Sequence, residues 1–157
     1  MSNTYTQIYI QTVFAVKGRQ NLILHANEDE LYRYIGGILK NKGHKSLAIN
    51  GMPDHIHVFF GLKPTEALSD LIRDMKANSS GFINDKKWFR GKFHWQEGFG
   101  GFSYSHTQLN NVIGYIKNQK EHHKKKSFRE EYLSFLKEYD IQYDDRYVVA
   151  PIEEYES

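Results

Sequence analysis

The chain of 157 residues has no cysteine, three prolines and no long apolar run. Without cysteine, disulfides and thiolate zinc sites are excluded, and a reducing compartment is favoured. No apolar stretch reaches the roughly 18 to 20 residues that a membrane-spanning helix needs. Residues 1–7 lack the charged-then-apolar pattern of a signal peptide. We therefore expect a cytoplasmic protein that does not associate with membranes.

What is present indicates one soluble globular domain. Hydrophobic residues make up 39% of the chain and charged residues 25%, which excludes a disordered chain. Aromatic residues reach 15%, including 11 tyrosines. Such an excess suits either a well-filled small core or a surface on which nucleic-acid bases stack.

The net charge of +2 conceals an uneven distribution. Residues 1–129 hold 19 Lys and Arg against 10 Asp and Glu, whereas residues 130–157 hold 2 against 9. A basic body with an acidic tail favours a polyanionic partner for the body.

The pattern of apolar residues predicts an α+β fold. Its order is β-α-β-β-α-β, with strands at 5–16, 45–50, 55–62 and 93–105 and helices at 28–42 and 65–84. The simplest arrangement is a ferredoxin-like antiparallel sheet. Two additional C-terminal helices are predicted at 107–124 and 127–138, the second opening with a capping box at Ser127 and Glu130.

A pair of histidines lies on the third predicted strand. Alternate side chains of a strand share a face, so His55 and His57 project together. Two imidazoles side by side are ready ligands for a divalent ion. The alternative is two unrelated histidines on a half-exposed strand.

A tyrosine and a glutamine lie one turn apart on the first C-terminal helix. Tyr115 and Gln119 are spaced i and i+4, so both emerge from one helix face. An amide oxygen there can complete a metal shell while the phenol reaches the group that the metal activates. A surface tyrosine with a glutamine neighbour is the alternative.

The densest basic cluster of the chain surrounds this helix. Its position beside a candidate nucleophile favours phosphate binding. The alternative is that these residues only form a solvent-exposed helix face, as clusters of charged residues commonly do. The candidate DNA-contacting residues are Lys117, Lys120, Lys124, Lys125, Lys126 and Arg129.

Taken together, these segments closely resemble the HUH-type single-tyrosine transposases of bacterial insertion sequences, the insertion-sequence-200-like family. The resemblance runs over roughly residues 9–147. It rests on the order of the segments Pro-Asp-His-Ile-His at 53–57, Trp-Gln-Glu-Gly-Phe-Gly at 95–100, Phe-Ser-Tyr-Ser at 102–105 and Tyr-Ile-Lys-Asn-Gln-Lys-Glu-His-His at 115–123.

The resemblance implies a role for each matching residue. It implies that Tyr115 is the nucleophile and that His55, His57 and Gln119 bind a divalent metal, Mg²⁺ or Mn²⁺. It further implies cleavage and rejoining of single-stranded DNA, often with hairpins, through a 5′-phosphotyrosine. Family members are ferredoxin-like homodimers whose active sites can be shared between subunits. We expect one catalytic domain at 1–138 and an acidic tail at 139–157.

Other functions remain open at this stage. A non-catalytic module that binds single-stranded nucleic acid would share the fold and charge, and a domesticated relative acting on repeat hairpins would share the chemistry. Replication initiators and relaxases share the HUH motif, but they usually occur in longer chains with extra domains, which 157 residues do not accommodate. Aromatic residues that would stack on bases in any of these cases are Trp95, Phe99, Phe102 and Tyr104.

Overall fold

A four-stranded antiparallel sheet forms the centre of the protein, whose residues 3–143 are described by a computed structural model. The strands lie in the order β2-β3-β1-β4, and each pair of neighbours is antiparallel. This is the predicted ferredoxin-like order. The strands are β1 (Tyr9–Ala15), β2 (Lys45–Met52), β3 (His55–Gly61) and β4 (Gly100–Tyr104).

Helices cover both faces of this sheet. Two of them, α1 (His25–Asn41) and α2 (Leu68–Lys86), connect strands, whereas the others follow β4. These later helices are α3 (Leu109–Lys117), α4 (Gln119–His122) and α5 (Phe128–Glu138), and short 3-10 turns span Lys17–Arg19 and His106–Gln108. The described residues contain no helix long and apolar enough to cross a membrane.

The alternation of β3 divides its side chains between two cores. Ile56, Val58 and Phe60 pack with residues of α1 and α2 in the main core. Phe59 points to the other face, where it packs against Val112 and Ile116 of α3. A third cluster joins this face to α5 through Val13, Ala15, Phe102, Phe128 and Leu136. Because both faces are covered, the histidine face of β3 lies inside the protein.

Some element bounds differ from the prediction. Helix α2 begins at Leu68 rather than at 65, and Ala67 precedes it without a side-chain cap. Glu66 bonds to Lys42 and His44 instead, which holds this segment as a turn. Strand β4 begins only at Gly100, because the chain bends at Gly98, where φ is +85°.

The predicted helix at 107–124 is interrupted. Asn118 has a ψ of 18° and separates α3 from α4. The Asn50 amide donates to the carbonyls of Ile116 and Lys117, at 3.0 and 3.1 Å. This contact from β2 satisfies carbonyls that a helix end leaves free, and it ties the tyrosine helix to the sheet.

Helix α5 begins as predicted, since the Ser127 hydroxyl accepts from the backbone N–H of Glu130. It ends at Glu138, next to the boundary expected for the acidic tail. Residues 144–157 of that tail lie outside the described residues.

Candidate active site

The two histidines of β3 are buried side by side. His55 and His57 have no exposed surface, and their ring centroids lie 5.2 Å apart. They share a face, as the alternation predicts. Their strand, however, is fully covered rather than half-exposed, because α3 to α5 lie over it.

Each histidine is oriented by a hydrogen bond at Nδ1. The Nδ1 atom of His55 lies 2.7 Å from Asp54 Oδ1, and that of His57 lies 2.7 Å from Gln11 Oε1. Gln11 in turn donates through Nε2 to the Tyr104 hydroxyl at 2.8 Å, which fixes its oxygen toward His57. A partner at Nδ1 directs Nε2 to the common centre, as is typical of metal-binding histidines.

Gln119 reaches the same centre from α4. Its side chain is fully buried, and Oε1 lies 3.3 Å from His55 Nε2 and 3.1 Å from His123 Nε2. Tyr115, one turn earlier, has its ring 6.2 Å from the ring of His57. The predicted tyrosine–glutamine pair and the predicted histidine pair therefore meet within one chain.

A carboxylate that the sequence did not single out lies at the centre of this cluster. Glu131 of α5 is buried, and its Oε1 is 3.0 Å from His57 Nε2, 3.2 Å from His123 Nε2 and 3.5 Å from His55 Nε2. Its other oxygen, Oε2, accepts a hydrogen bond from the Tyr115 hydroxyl.

Sequence reasoning missed both Glu131 and His123. Glu131 fell within the net-acidic residues 130–157, and no local spacing connects it to β3. His123 did carry a signal, because Tyr115, Gln119 and His123 recur every four residues and so follow one helical face.

The buried carboxylate and imidazoles of the cluster shift one another's pKa values. Burial alone would raise the pKa of Glu131, but hydrogen bonds with His123, His55 and His57 outweigh burial and lower this pKa far below its usual range. Burial opposes protonation of His55, yet the neighbouring Asp54 and Glu131 carboxylates raise its pKa. For His57 burial dominates and lowers the pKa. Glu131 is therefore ionised at neutral pH.

The environment of Tyr115 makes its proton hard to lose. Burial first, and then the charge of Glu131, raise the pKa of the phenol well above its ordinary value. At neutral pH the hydroxyl is protonated, and Glu131 is the group that accepts its hydrogen bond. Any attack by this oxygen therefore needs a proton acceptor at the same place.

The donor atoms fit a divalent cation. One atom from each of His55, His57, His123 and Glu131 lies within 4.8 Å of the others, and Gln119 adds an amide oxygen at 3.3 Å from His55. With Nδ1 of both β3 histidines bonded to oxygens, neutral imidazoles would direct lone pairs toward the Glu131 carboxylate. A cation between them satisfies all of these lone pairs. Mixed nitrogen and oxygen ligands suit Mn²⁺ or a similar ion.

The predicted basic cluster is not uniformly available to a ligand. Lys120 Nζ lies 2.9 Å from Glu28 Oε2 and 2.5 Å from the Gly51 carbonyl, so it ties α4 to the body of the protein. Lys124 pairs with Glu121 at 3.0 Å on the exposed surface. Such an exposed pair contributes little stability and is easily exchanged for another partner.

The remaining basic residues differ in exposure and contacts. Lys126 donates to the Ser134 hydroxyl at 2.7 Å and lines the space beside Tyr115. Lys125 and Lys117 are exposed, and Arg129 is half-buried. Of the predicted DNA-contacting residues, Lys125 and Lys126 line a cavity that also includes Tyr115.

The aromatic residues considered for base stacking divide into two groups. Trp95 and Phe102 are core residues, with Trp95 bonded to the Ser79 hydroxyl at 2.9 Å and Phe102 stacked on Phe135. Phe99 and Tyr104 are half-buried and line cavities. Only the latter two have surface that could meet a base.

Comparison with known proteins identifies relatives of this architecture. The sequence profile of the family described as "Transposase IS200 like" matches residues 4–119. That range includes His55, His57, Tyr115 and Gln119 but ends before His123 and Glu131. None of the curated proteins compared with the chain is a significant match.

Two solved structures have a similar fold. One is a putative transposase from Deinococcus radiodurans R1, with a TM-score of 0.60 and 20% sequence identity over 76% of this chain and 95% of the other. The second is a REP-associated tyrosine transposase bound to a REP hairpin, with a TM-score of 0.58 and 15% identity over 78% of this chain and 73% of the other. At these identities the likeness concerns the fold.

Proposed function

The chain belongs to the IS200-like transposase family, and from this premise we propose that it cleaves and rejoins single-stranded DNA through a 5′-phosphotyrosine formed on Tyr115. One observation carries the proposal: the Tyr115 hydroxyl bonds to Glu131, the same carboxylate that contacts both histidines of β3. A module that only binds nucleic acid has no need of a buried carboxylate that contacts both a tyrosine hydroxyl and two histidines.

We propose that His55, His57 and Gln119 hold a divalent ion, Mg²⁺ or Mn²⁺, with Glu131 and His123 close enough to join them. Bound there, the ion supplies Lewis acidity toward the scissile phosphate. Asp54 and Gln11 keep the two imidazoles facing the centre. Imidazole is a poorer ligand for Mg²⁺ than for Mn²⁺, so Mn²⁺ is the better first choice in an assay.

The nucleophilic step uses the hydrogen bond between Tyr115 and Glu131. Glu131 Oε2 takes the phenol proton as the Tyr115 oxygen bonds to phosphorus, because bond formation draws charge from that oxygen and so lowers the high pKa of the phenol toward that of the carboxylate. The bond from phosphorus to the 3′ oxygen breaks, and this oxygen takes a proton from solvent to become a hydroxyl. Glu131 then returns its proton to solvent, so the step is balanced.

Joining is the reverse of cleavage on another strand. A 3′-hydroxyl attacks the phosphotyrosine, a new phosphodiester forms, and the Tyr115 oxygen recovers a proton. Because the phosphotyrosine conserves the energy of the broken bond, no nucleotide cofactor is needed.

We propose single-stranded DNA with a hairpin as the partner. Lys125 and Lys126 beside Tyr115 supply positive charge for its phosphates. A solved relative of similar fold is bound to a REP hairpin, which supports hairpin recognition here. A domesticated relative acting on repeat hairpins would use the same chemistry, and hairpins in the DNA flanking the gene distinguish the two.

We also propose a homodimer, as family members form. The candidate ligands and Tyr115 gather within one chain. Active sites shared between the two subunits stay a prediction from the family.

The decisive experiment is covalent capture. We expect the protein, incubated with Mn²⁺ and single-stranded DNA carrying a hairpin and its flanks from the gene's borders, to form an adduct that survives boiling in detergent. Tyr115→Phe should form none, whereas Tyr34→Phe, which alters a residue stacked on Phe82 of α2, should react normally. An adduct in Tyr115→Phe, or none in the unaltered protein, would overturn the proposal.

A further inference from the structure

Two cavities meet at the phenol of Tyr115. One, of about 330 Å³, lies between α3, the sheet and α5. The other, of about 360 Å³, lies beside α4 and the segment that follows it. Tyr115, Lys126 and Glu131 line both of them. A strand that presents a phosphate to Tyr115 must therefore place neighbouring groups in these two spaces.

The two cavities differ in charge. The one beside α4 is lined by His122, His123, Lys125 and Glu121 in addition to the shared residues. Because Glu121 is paired with Lys124, Lys125 and Lys126 give this cavity the positive charge that suits the phosphate backbone. We name it the basic cavity.

The other cavity has the chemistry of a base pocket, and we name it the amide cavity. Tyr104 and Phe135 supply aromatic walls on which a base can stack. Glu138 lines this cavity and not the basic one, and its carboxylate disfavours a phosphate here. Its polar lining includes the amides of Asn111 and Gln108.

The two amides can read a hydrogen-bonding edge. Gln108 Oε1 accepts from the Ser105 backbone N–H at 2.8 Å, which turns its NH₂ group away as a spare donor. Among the described residues, the Asn111 side chain has no hydrogen-bond partner, although it is exposed on the cavity wall. An amide presents a donor and an acceptor side by side, the pattern that recognises base edges.

From this arrangement, and resting on the proposed function, we infer that the amide cavity receives the nucleobase next to the scissile phosphate and that Asn111 selects it. The basic cavity receives the backbone on the other side of Tyr115. The protein itself then contributes sequence preference at the cleavage point, beyond any preference that the hairpin provides.

The test is a library of hairpin DNA from the gene's borders in which the single-stranded flank is randomised. After reaction with Mn²⁺, sequencing of the strand bound to Tyr115 and of the released 3′ end gives the bases on both sides of the cut. We expect a base preference at one of these two positions in the unaltered protein. In Asn111→Ala this preference should fall about tenfold, as for the loss of one amide–base pair.

Matched variants keep the result interpretable. Asn110→Ala removes an exposed amide next in the chain that does not line the cavity, and it should retain the preference. Asn111→Asp keeps the side-chain volume but removes its donor, so it should redirect the preference toward bases that donate. The inference is overturned if both Asn111 variants select the bases that the unaltered protein selects, or if the unaltered protein has no preference. A complete lack of Tyr115-dependent adduct would instead refute the proposed function.

Discussion

The hydroxyl of Tyr115 donates a hydrogen bond to Glu131, a residue sixteen positions further along the chain and on a different helix. The same carboxylate contacts His57 at 3.0 Å through its other oxygen. Glu131 thus joins the candidate nucleophile to the candidate metal ligands.

Replacing the Glu131 carboxylate tests its part in proton transfer. We expect Glu131→Gln to slow formation of the DNA adduct by about 10²- to 10⁴-fold, the usual contribution of a general base, while DNA affinity is largely retained. Rates are measured by quenching the reaction in detergent. Glu130→Gln, an exposed neighbour, is the control. Equal or faster cleavage in Glu131→Gln would mean that the carboxylate only occupies the site.

Metal binding can be measured without DNA. A ligand that binds only the folded protein stabilises it by about 2.7 kcal/mol at 100 times its Kd, so Mn²⁺ should raise the melting temperature. His57→Ala should lose most of this shift, because it removes a buried ligand. His25→Ala removes an imidazole that is 92% exposed and should behave like the unaltered protein. An undiminished shift in His57→Ala would contradict the metal assignment.

The salt dependence of DNA binding tests the basic cavity. Single-strand affinity falls with salt by about 0.7 in the log–log slope for each phosphate contact. We expect Lys125→Ala and Lys126→Ala each to reduce the slope by about this amount in fluorescence anisotropy titrations. Lys40→Ala, on the far side of the sheet on α1, should leave it unchanged. A constant slope in all three would show that these lysines only face solvent.

A half-buried lysine away from the site gives a pH prediction. Lys76 donates to the carbonyls of Gln96 and Gly98, and burial lowers its pKa to about 8. Between this value and the ordinary pKa of about 10.4, the unfolded chain holds a proton that the folded protein has released. Stability attributable to Lys76 therefore rises with pH over this interval.

Urea unfolding at pH 7.5 and pH 9.5 measures this effect. From the lower to the higher pH, the free energy of unfolding should rise more in the unaltered protein than in Lys76→Met. Lys40→Met, which changes an exposed lysine, should follow the unaltered protein. A parallel response in Lys76→Met would mean that Lys76 keeps its ordinary pKa.

Within one strand or helix, residue spacing was sufficient to predict which side chains share a face. The i, i+2 spacing of His55 and His57 put both imidazoles on one face of β3, and the i, i+4 spacing of Tyr115 and Gln119 aligned these two side chains despite the interruption at Asn118. The order of strands and helices was likewise sufficient for the ferredoxin-like sheet. Side-chain direction in a regular element repeats with its period, so the chain encodes it locally.

Only the tertiary structure decided which faces meet. Glu131 belongs by sequence to an acidic segment, yet α5 packs over β3 through Phe128 and Leu136 and carries this carboxylate into the centre. The contact of Asn50 with α3 likewise depends on the packed fold. The spacing of apolar residues in a helix or strand specifies which of its faces is buried. It does not specify which other element packs against that face, because this packing depends on burial and pairing among residues far apart in the chain.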